Sequence, residues 1–425
     1  MITFYLMLMK KLIVLFFLSL LMVSHAWSGG LWLYEVAHSE VGTASAGSAA
    51  IAERASTAGT NPAGMTRLTR SELMVGFQPM YLDSKFDISS ATYGTDDGGQ
   101  NGGFIPSASL FYVHDYSSDV KLGIALGSYK GLGLDYGDNW AGRYFVTEGE
   151  LLTFAINPSI AFKATDQLSI GIGFDVLYST LDQTMAFNNN PFGIGNTADG
   201  KIEIEDSDIG YGFNVGLLYE FSESTRFGVH YRSEIDMEFE DALTLKGVLP
   251  ILPGLTSNTE ADIEMTSPQS LMFSAYHDLN SKWALVGNVG WQDWSEFGKT
   301  EFTLNNLNQN IKTDRNFDDT YHMALGFRYQ YSDEWLLMAG VAYDTSPVSK
   351  SDRTLDMPLD RQIRYGLGTE YHISQDVTIM AGYELVDVGD ASINQTRGIL
   401  DNDTIKGDFD SNYLHILTIN ASWKF

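Results

Sequence analysis

Arg328, Arg364 and His322 are the side chains whose spacing most invites chemistry. Arg328 and His322 alternate with large apolar residues in the run 321–331, and Arg364 does the same in 363–371. On a strand, alternate side chains point to opposite faces, so all three fall on the face away from the Tyr, Met, Leu and Phe residues. Cations on an enclosed inner face can pair with inward acids, of which Glu370 is one, or hold an anion. Catalysis has no comparable support. The seven histidines beyond position 28 are scattered, with no HExxH or GxSxG context. The chain has no cysteine, which removes disulfides and thiolate metal sites. No enzyme activity, cofactor or metal centre is expected. The acidic stretch DNDTIKGDFD at 401–410 could gather divalent cations with surface lipopolysaccharide, but it lacks the spacing of a calcium-binding loop. A net charge of −28 argues against nucleic acid as a partner and places the acid in solvated loops.

What must position these groups is a sheet with one greasy face. From Ile209 to Phe221, every second position is large and apolar (Ile209, Tyr211, Phe213, Val215, Leu217, Tyr219 and Phe221), with mostly Gly, Asn or Glu between. The pattern returns at 321–331, 363–371 and 417–425. Runs of about ten residues with this dyad repeat, rich in aromatics, suit strands that cross a bilayer as a β-barrel. A mean hydropathy of −0.10 fits strands that are only half apolar and does not fit a helical bundle in lipid.

Turn-forming residues divide the chain into strands. Short polar connections fall at 115–118, 165–167, 222–224, 278–282, 332–334 and 374–376, and long ones at 89–103, 131–150, 188–206, 241–258, 299–316, 344–360 and 386–411. Six short and seven long connections in strict alternation join fourteen antiparallel strands. Short periplasmic turns with long extracellular loops are the layout of Gram-negative outer-membrane barrels, and an even strand number closes the sheet. Lys10 and Lys11 precede an apolar run, 12–23, that is too short to span a bilayer. Residues 1–28 are therefore expected to be a signal peptide, cleaved after Ala26 or after Ser28, with Met1 or Met9 as the start. The terminal Phe425 resembles the signal by which the barrel assembly machinery recognises its clients.

Residues 29–70 do not alternate. They are rich in Ala, Gly, Ser and Thr, with SAAIAERAS reading as short helical turns broken at Gly59, Asn61 and Pro62. A segment so rich in small residues ahead of a barrel at 71–425 is expected to form a helical hatch that plugs the lumen. Here the chain resembles the FadL family of outer-membrane long-chain fatty acid transporters. The matching elements are Glu35, the Gly42 and Gly47 spacing, AAIAE at 49–53, and Asn61-Pro62-Ala63. YRSEI at 231–235, KWALVGNVGWQDWSEF at 282–297 and DTSPV at 344–348 follow in order. The resemblance implies a fourteen-stranded, monomeric barrel that moves hydrophobic molecules inward without chemistry. Its TodX-like branch handles monoaromatic hydrocarbons. An open hydrophilic porin would not need the plug, and an adhesive barrel would not need an apolar loop.

The resemblance also implies roles for particular residues. The third and fourth extracellular loops of the family form a capture groove. In this chain those loops carry Phe192 and Ile194, then Leu245, Val248, Leu249, Ile251, Leu252 and Leu255. These residues face the medium as a capture surface, or pack loop to loop as a lid. A kink in the third strand opens the family's barrel wall sideways to the bilayer. Gly131, in LGSYKGLGLDYG, is the position expected to carry it, unless it simply begins the second long loop. Family members that take fatty acids can hold the carboxylate with lumen cations, and the positions aligned to those carry Thr180 and Asp318. His322, Arg328 and Arg364 are the cations that could substitute.

Overall fold

A computed structural model describes residues 38–128, 131–190, 197–249, 260–305, 309–397 and 403–425. The expected signal peptide, the first residues of the hatch, and Phe192, Ile194, Ile251, Leu252 and Leu255 lie outside the described residues. No described helix is long and apolar enough to cross a membrane; the crossing elements are strands.

Fourteen strands form one closed antiparallel barrel. They are β1 (Glu72–Ala91), β2 (Phe104–Asp115), β3 in two pieces (Val120–Gly127 and Gly131–Asp135), β4 (Glu148–Lys163), β5 (Leu168–Phe187), β6 (Gly200–Ser222) and β7 (Thr225–Arg232). They continue as β8 (Ser270–Asp278), β9 (Trp283–Gln292), β10 (Thr320–Gln330), β11 (Trp335–Asp344), β12 (Gln362–His372), β13 (Val377–Asp387) and β14 (Asp403–Lys424). Each pairs with the next, and β14 returns to β1 with Leu73 opposite Trp423 and Met80 opposite Ile416. Closure removes the unpaired strand edge that lipid cannot solvate. The expected alternation of short and long connections is what the structure shows.

The dyad repeat sorts side chains as its spacing requires. Ile209, Tyr211, Phe213, Leu217, Tyr219 and Phe221 are exposed on the outer face, as are Tyr321, Met323, Leu325 and Phe327. The inward positions between them are small or polar, and many are buried by what fills the lumen.

One element departs from the expected layout. Ile235–Phe239, Ala261–Ser267, Lys299–Leu304 and Gln309–Asp314 form a separate four-stranded sheet. Lys299–Leu304 and Gln309–Asp314 therefore pair as a hairpin where an open loop was expected, and between β7 and β8 the chain gives two strands to this sheet and touches the barrel wall once, where Leu243–Lys246 pairs with β6. Ile235, Met237, Phe239, Ile263 and Met265 face a buried cluster, while Glu238, Glu264 and Glu301 occupy adjacent cross-strand positions on the other face. Period two is the same in a barrel wall and in this sheet, so the sequence pattern does not distinguish them.

The lumen holds residues 38–70, folded as three short helical turns, Ser39–Thr43, Thr57–Thr60 and Pro62–Arg67. Asn61 caps the last: its side chain accepts from the Ala63 amide at 3.1 Å, and Pro62 follows at the first helical position. Gly47 adopts φ +83°, a conformation that suits glycine.

Candidate functional site

The hatch sits on a belt of glycines. Gly171, Gly216, Gly228, Gly326, Gly340, Gly366 and Gly368, all on inward strand positions, touch hatch atoms so closely that an added methyl would collide. A methyl on Gly42 would fall 2.6 Å from the Gly368 Cα, so the two backbones meet with no side chain between them. Pro62 and Ala63 lie against Gly171, and Asn61 against Gly216. The Asn61 amide also donates to the carbonyls of Ala49 at 2.7 Å and Leu217 at 3.0 Å. Gly47 donates its amide to Asn288 at 2.7 Å. Glycine at these positions lets a backbone replace the side chains that would otherwise fill the barrel.

Two tiers of charge flank this belt. Inward residues on one strand are about 7 Å apart, so β7 presents Arg226, Gly228, His230 and Arg232 in succession, and β12 presents Glu370, Gly368, Gly366 and Arg364. Toward the short-turn end, Glu53 of the hatch lies 2.8 Å from Arg328 and 2.9 Å from Arg226, and Arg54 lies 2.6 Å from Glu370. Arg328 also reaches Glu370 at 3.5 Å. Arg226 donates to the hatch carbonyls of Ala50 and Ile51, each at 2.7 Å. Burial alone would raise the Glu53 carboxyl; Arg328 and Arg226 overcome it and hold the group well below the usual carboxylate range.

Toward the long-loop end, His322 lies 2.8 Å from Asp344, and Arg364 lies 3.0 Å from Asp344 and 3.5 Å from Glu384. On the opposite wall Asp175 accepts from Asn157 and Asn214, both at 2.9 Å, with Arg232 at 3.6 Å. The structure thus places Arg328 in the lower tier and Arg364 with His322 in the upper one, each beside carboxylates. Thr180 shares the outward parity of Tyr178, and Asp318 is exposed. Neither stands where a lumen head-group ligand would. Arg226, Glu53 and Arg54, which the sequence argument did not single out, complete the lower tier. Arg226 was findable by its inward parity with Arg232.

Two apolar clusters lie above these tiers. One contains Phe86, Tyr136, Trp140, Leu355 and Phe409; the other contains Leu177, Phe239, Trp294, Phe297 and Leu359. The segment 345–361 contributes to both. It is held by Tyr136 Oη donating to the Leu355 carbonyl at 2.9 Å and by Arg315 pairing with Asp356 at 2.8 Å. Burial would raise the Asp356 carboxyl, but Arg315 brings it down to about 2.

The expected capture residues divide. Leu245 is buried in a short ladder with Ile202 of β6, Val248 packs against Gly200, and Leu249 is 42% exposed. The wall is interrupted at β3. The β2–β3 ladder ends at Leu110 opposite Leu126, whereas the second piece, beginning at Gly131, pairs with β4 from Leu152 to Glu148. Among the described residues no ladder joins that piece to the rest of β2, although β2 stays paired to β1 as far as Phe104.

The family model described as "Outer membrane protein transport protein (OMPP1/FadL/TodX)" matches residues 19–425. The chain is 27% identical over 393 residues to the "Long-chain fatty acid transport protein" of Escherichia coli O6:H1, covering 85% of this chain and 87% of that one. It is 24% identical over 437 residues to "Outer membrane protein P1" of Haemophilus influenzae, covering 93% and 94%. Among solved structures, a Pseudomonas aeruginosa FadL homologue superposes with a TM-score of 0.85 at 19% identity, over 93% of this chain and 100% of that one. The Pseudomonas putida toluene transporter TodX does so with a TM-score of 0.63 at 17% identity, over 86% and 92%. The chain belongs to the OMPP1/FadL/TodX family of outer-membrane transport proteins.

Proposed function

We propose that this protein is a passive carrier that captures hydrophobic molecules at its extracellular loops and releases them sideways into the bilayer. Long-chain fatty acids are the first cargo, because the relatives named for that transport align over 85–88% of this chain. The observation that carries the proposal is a pairing of features. The hatch fills the barrel across its glycine belt, while among the described residues the wall beside it has no β2 ladder from Gly131 onward. A hydrophobic solute that has stepped along the two apolar clusters then has an apolar way out through the wall and a polar, occupied one below. Of the expected capture residues that are described, Leu249 offers apolar surface to the medium. Movement down a gradient needs no nucleophile, base or cofactor, and the protein acts as a monomer among outer-membrane lipid and lipopolysaccharide, inserted by the barrel assembly machinery.

The second reading is uptake of neutral aromatic hydrocarbons, favoured by the carboxylates that accompany the lumen arginines. Uptake of radiolabelled oleate and of labelled toluene, in a host lacking its own transporter, separates the two. Oleate accumulation supports the acyl reading, and toluene without oleate supports the aromatic one. Neither label entering, with the folded barrel at the surface, defeats both.

A further inference from the structure

Ile105 on β2 and Leu134 on the second piece of β3 stand on the two sides of the interruption in the wall. Both belong to the buried apolar cluster that contains Phe86, Tyr136 and Trp140. Leu355, from the segment 345–361, enters the same cluster and has no exposed surface. Val348 and Leu359 of that segment are buried in the second cluster, with Trp294 and Phe297. Protein cores are packed to the density of organic crystals, so an added chain or ring finds no room beside such side chains. A solute that reached the wall gap along these clusters would have to take over the contacts that Leu355 and Leu359 make with them.

The segment can come away as a unit. Its two ends lie together, because Asp344 of β11 stands opposite Gln362 of β12. Residues 345–361 contain no strand. Arg353 closes the segment on itself, through Asp360 at 3.1 Å and the Leu359 carbonyl at 2.6 Å. Its ties outward include Arg315 to Asp356 at 2.8 Å, the Tyr136 hydroxyl to the Leu355 carbonyl at 2.9 Å, and the Leu355 amide to Gln395 at 3.1 Å. All three reach other long connections, none a wall ladder. A compact loop held this way opens at a lower free energy than the strands beneath it. We propose that 345–361 is a cap that competes with the cargo. In the closed form Leu355 occupies the apolar step beside the wall gap, and solute takes that step when the segment swings out. Entry is then limited by the fraction of molecules whose cap is open. The proposal rests on the transport reading and names the side chain that the cargo of that route displaces.

The test locks the cap and then loosens it. The chain has no cysteine, so Arg315→Cys with Asp356→Cys introduces two unique thiols. A short bismaleimide carrying a cleavable disulfide spans the distance that the Arg315 side chain spans now. Initial uptake of labelled oleate and of labelled toluene is measured in cells expressing each form. Cross-linking is expected to slow whichever label the unaltered protein carries by at least about tenfold, and reductant to restore it. Leu355→Ala withdraws the side chain from its cluster and weakens the closed form, so the initial rate is expected to rise about threefold or more. A loop with a merely structural role would give no such gain. Uptake unchanged by the cross-link overturns the proposal, and so does a folded Leu355→Ala protein that carries its solute no faster than the unaltered one. Should that variant disturb the barrel, the cross-link alone decides. A folded, unaltered protein at the surface that carries neither label defeats the transport reading, and the proposal with it.

Discussion

Glu53 of the hatch lies 2.8 Å from Arg328 on β10 and 2.9 Å from Arg226 on β7, so one carboxylate ties the plug to two separate parts of the wall. Glu53→Gln leaves both guanidiniums facing each other across the hatch. Breaking a fully buried pair costs about 3–5 kcal/mol; the Glu53 side chain is 32% exposed, so a loss on the order of 1–3 kcal/mol is expected. The barrel stays folded while the hatch loosens. Ion conductance in planar bilayers should rise from a closed baseline to frequent openings; an unchanged baseline would remove Glu53 from the account.

The same carboxylate gives the hatch a pH limit. Its folded pKa is depressed below the ordinary value of 4.5, so its contribution is fully present above that pH and is lost as the pH falls toward the folded value. Conductance of the unaltered protein should be flat from about pH 7 to 5 and increase below about pH 4.5, and Glu53→Gln should flatten that rise.

The glycine belt predicts a steric effect without a charge change. At Gly228 and Gly340 an added methyl would collide with the backbone of Ala49 and of Thr43, which cannot swing away as a side-chain tip can. Gly340→Val should displace the hatch at a cost of about 1–3 kcal/mol while the strand itself gains β propensity. Protease sensitivity of the hatch, with an intact heat-modifiable barrel on a gel, checks this.

Leu249 and Leu245 separate capture from structure. Leu249 is open to the medium, so Leu249→Asp should raise the substrate concentration for half-maximal uptake by about three- to tenfold and leave thermal stability within about 0.5 kcal/mol. Leu245 is buried opposite Ile202, and its replacement by Asp should lower stability instead.

Arg315 and Asp356 hold the 345–361 segment over the two apolar clusters, and the pair keeps Asp356 ionised down to about pH 2. Arg315→Ala should free that segment and raise proteolytic cleavage within 345–361 at neutral pH. Barrel stability should fall by no more than about 1 kcal/mol, since the wall ladders are untouched.

The barrel was legible because lipid outside and a polar lumen inside impose period two on every strand, as at Ile209 to Phe221 and Tyr321 to Tyr331. The hatch was legible through its want of alternation and its Asn61-Pro62 break. Three things were hidden for physical reasons. Ile235, Met237 and Phe239 continue the same period into a sheet outside the barrel, so the point of departure leaves no mark on the pattern. Nothing local links Glu53 to Arg226, which is 173 residues away. Thr180 and Asp318 were aligned to lumen positions, yet the first points outward with Tyr178 and the second is exposed ahead of β10.

The central claim is that this lumen passes hydrophobic molecules and holds back hydrophilic ones. The most direct measurement is the initial rate at which a labelled hydrophobic solute and a labelled disaccharide enter cells stripped of their own fatty acid transporter and general porins, with and without this protein. The account predicts a saturable rise for the hydrophobic solute and no change for the sugar. Entry of the sugar with no gain for the hydrophobic solute would contradict it.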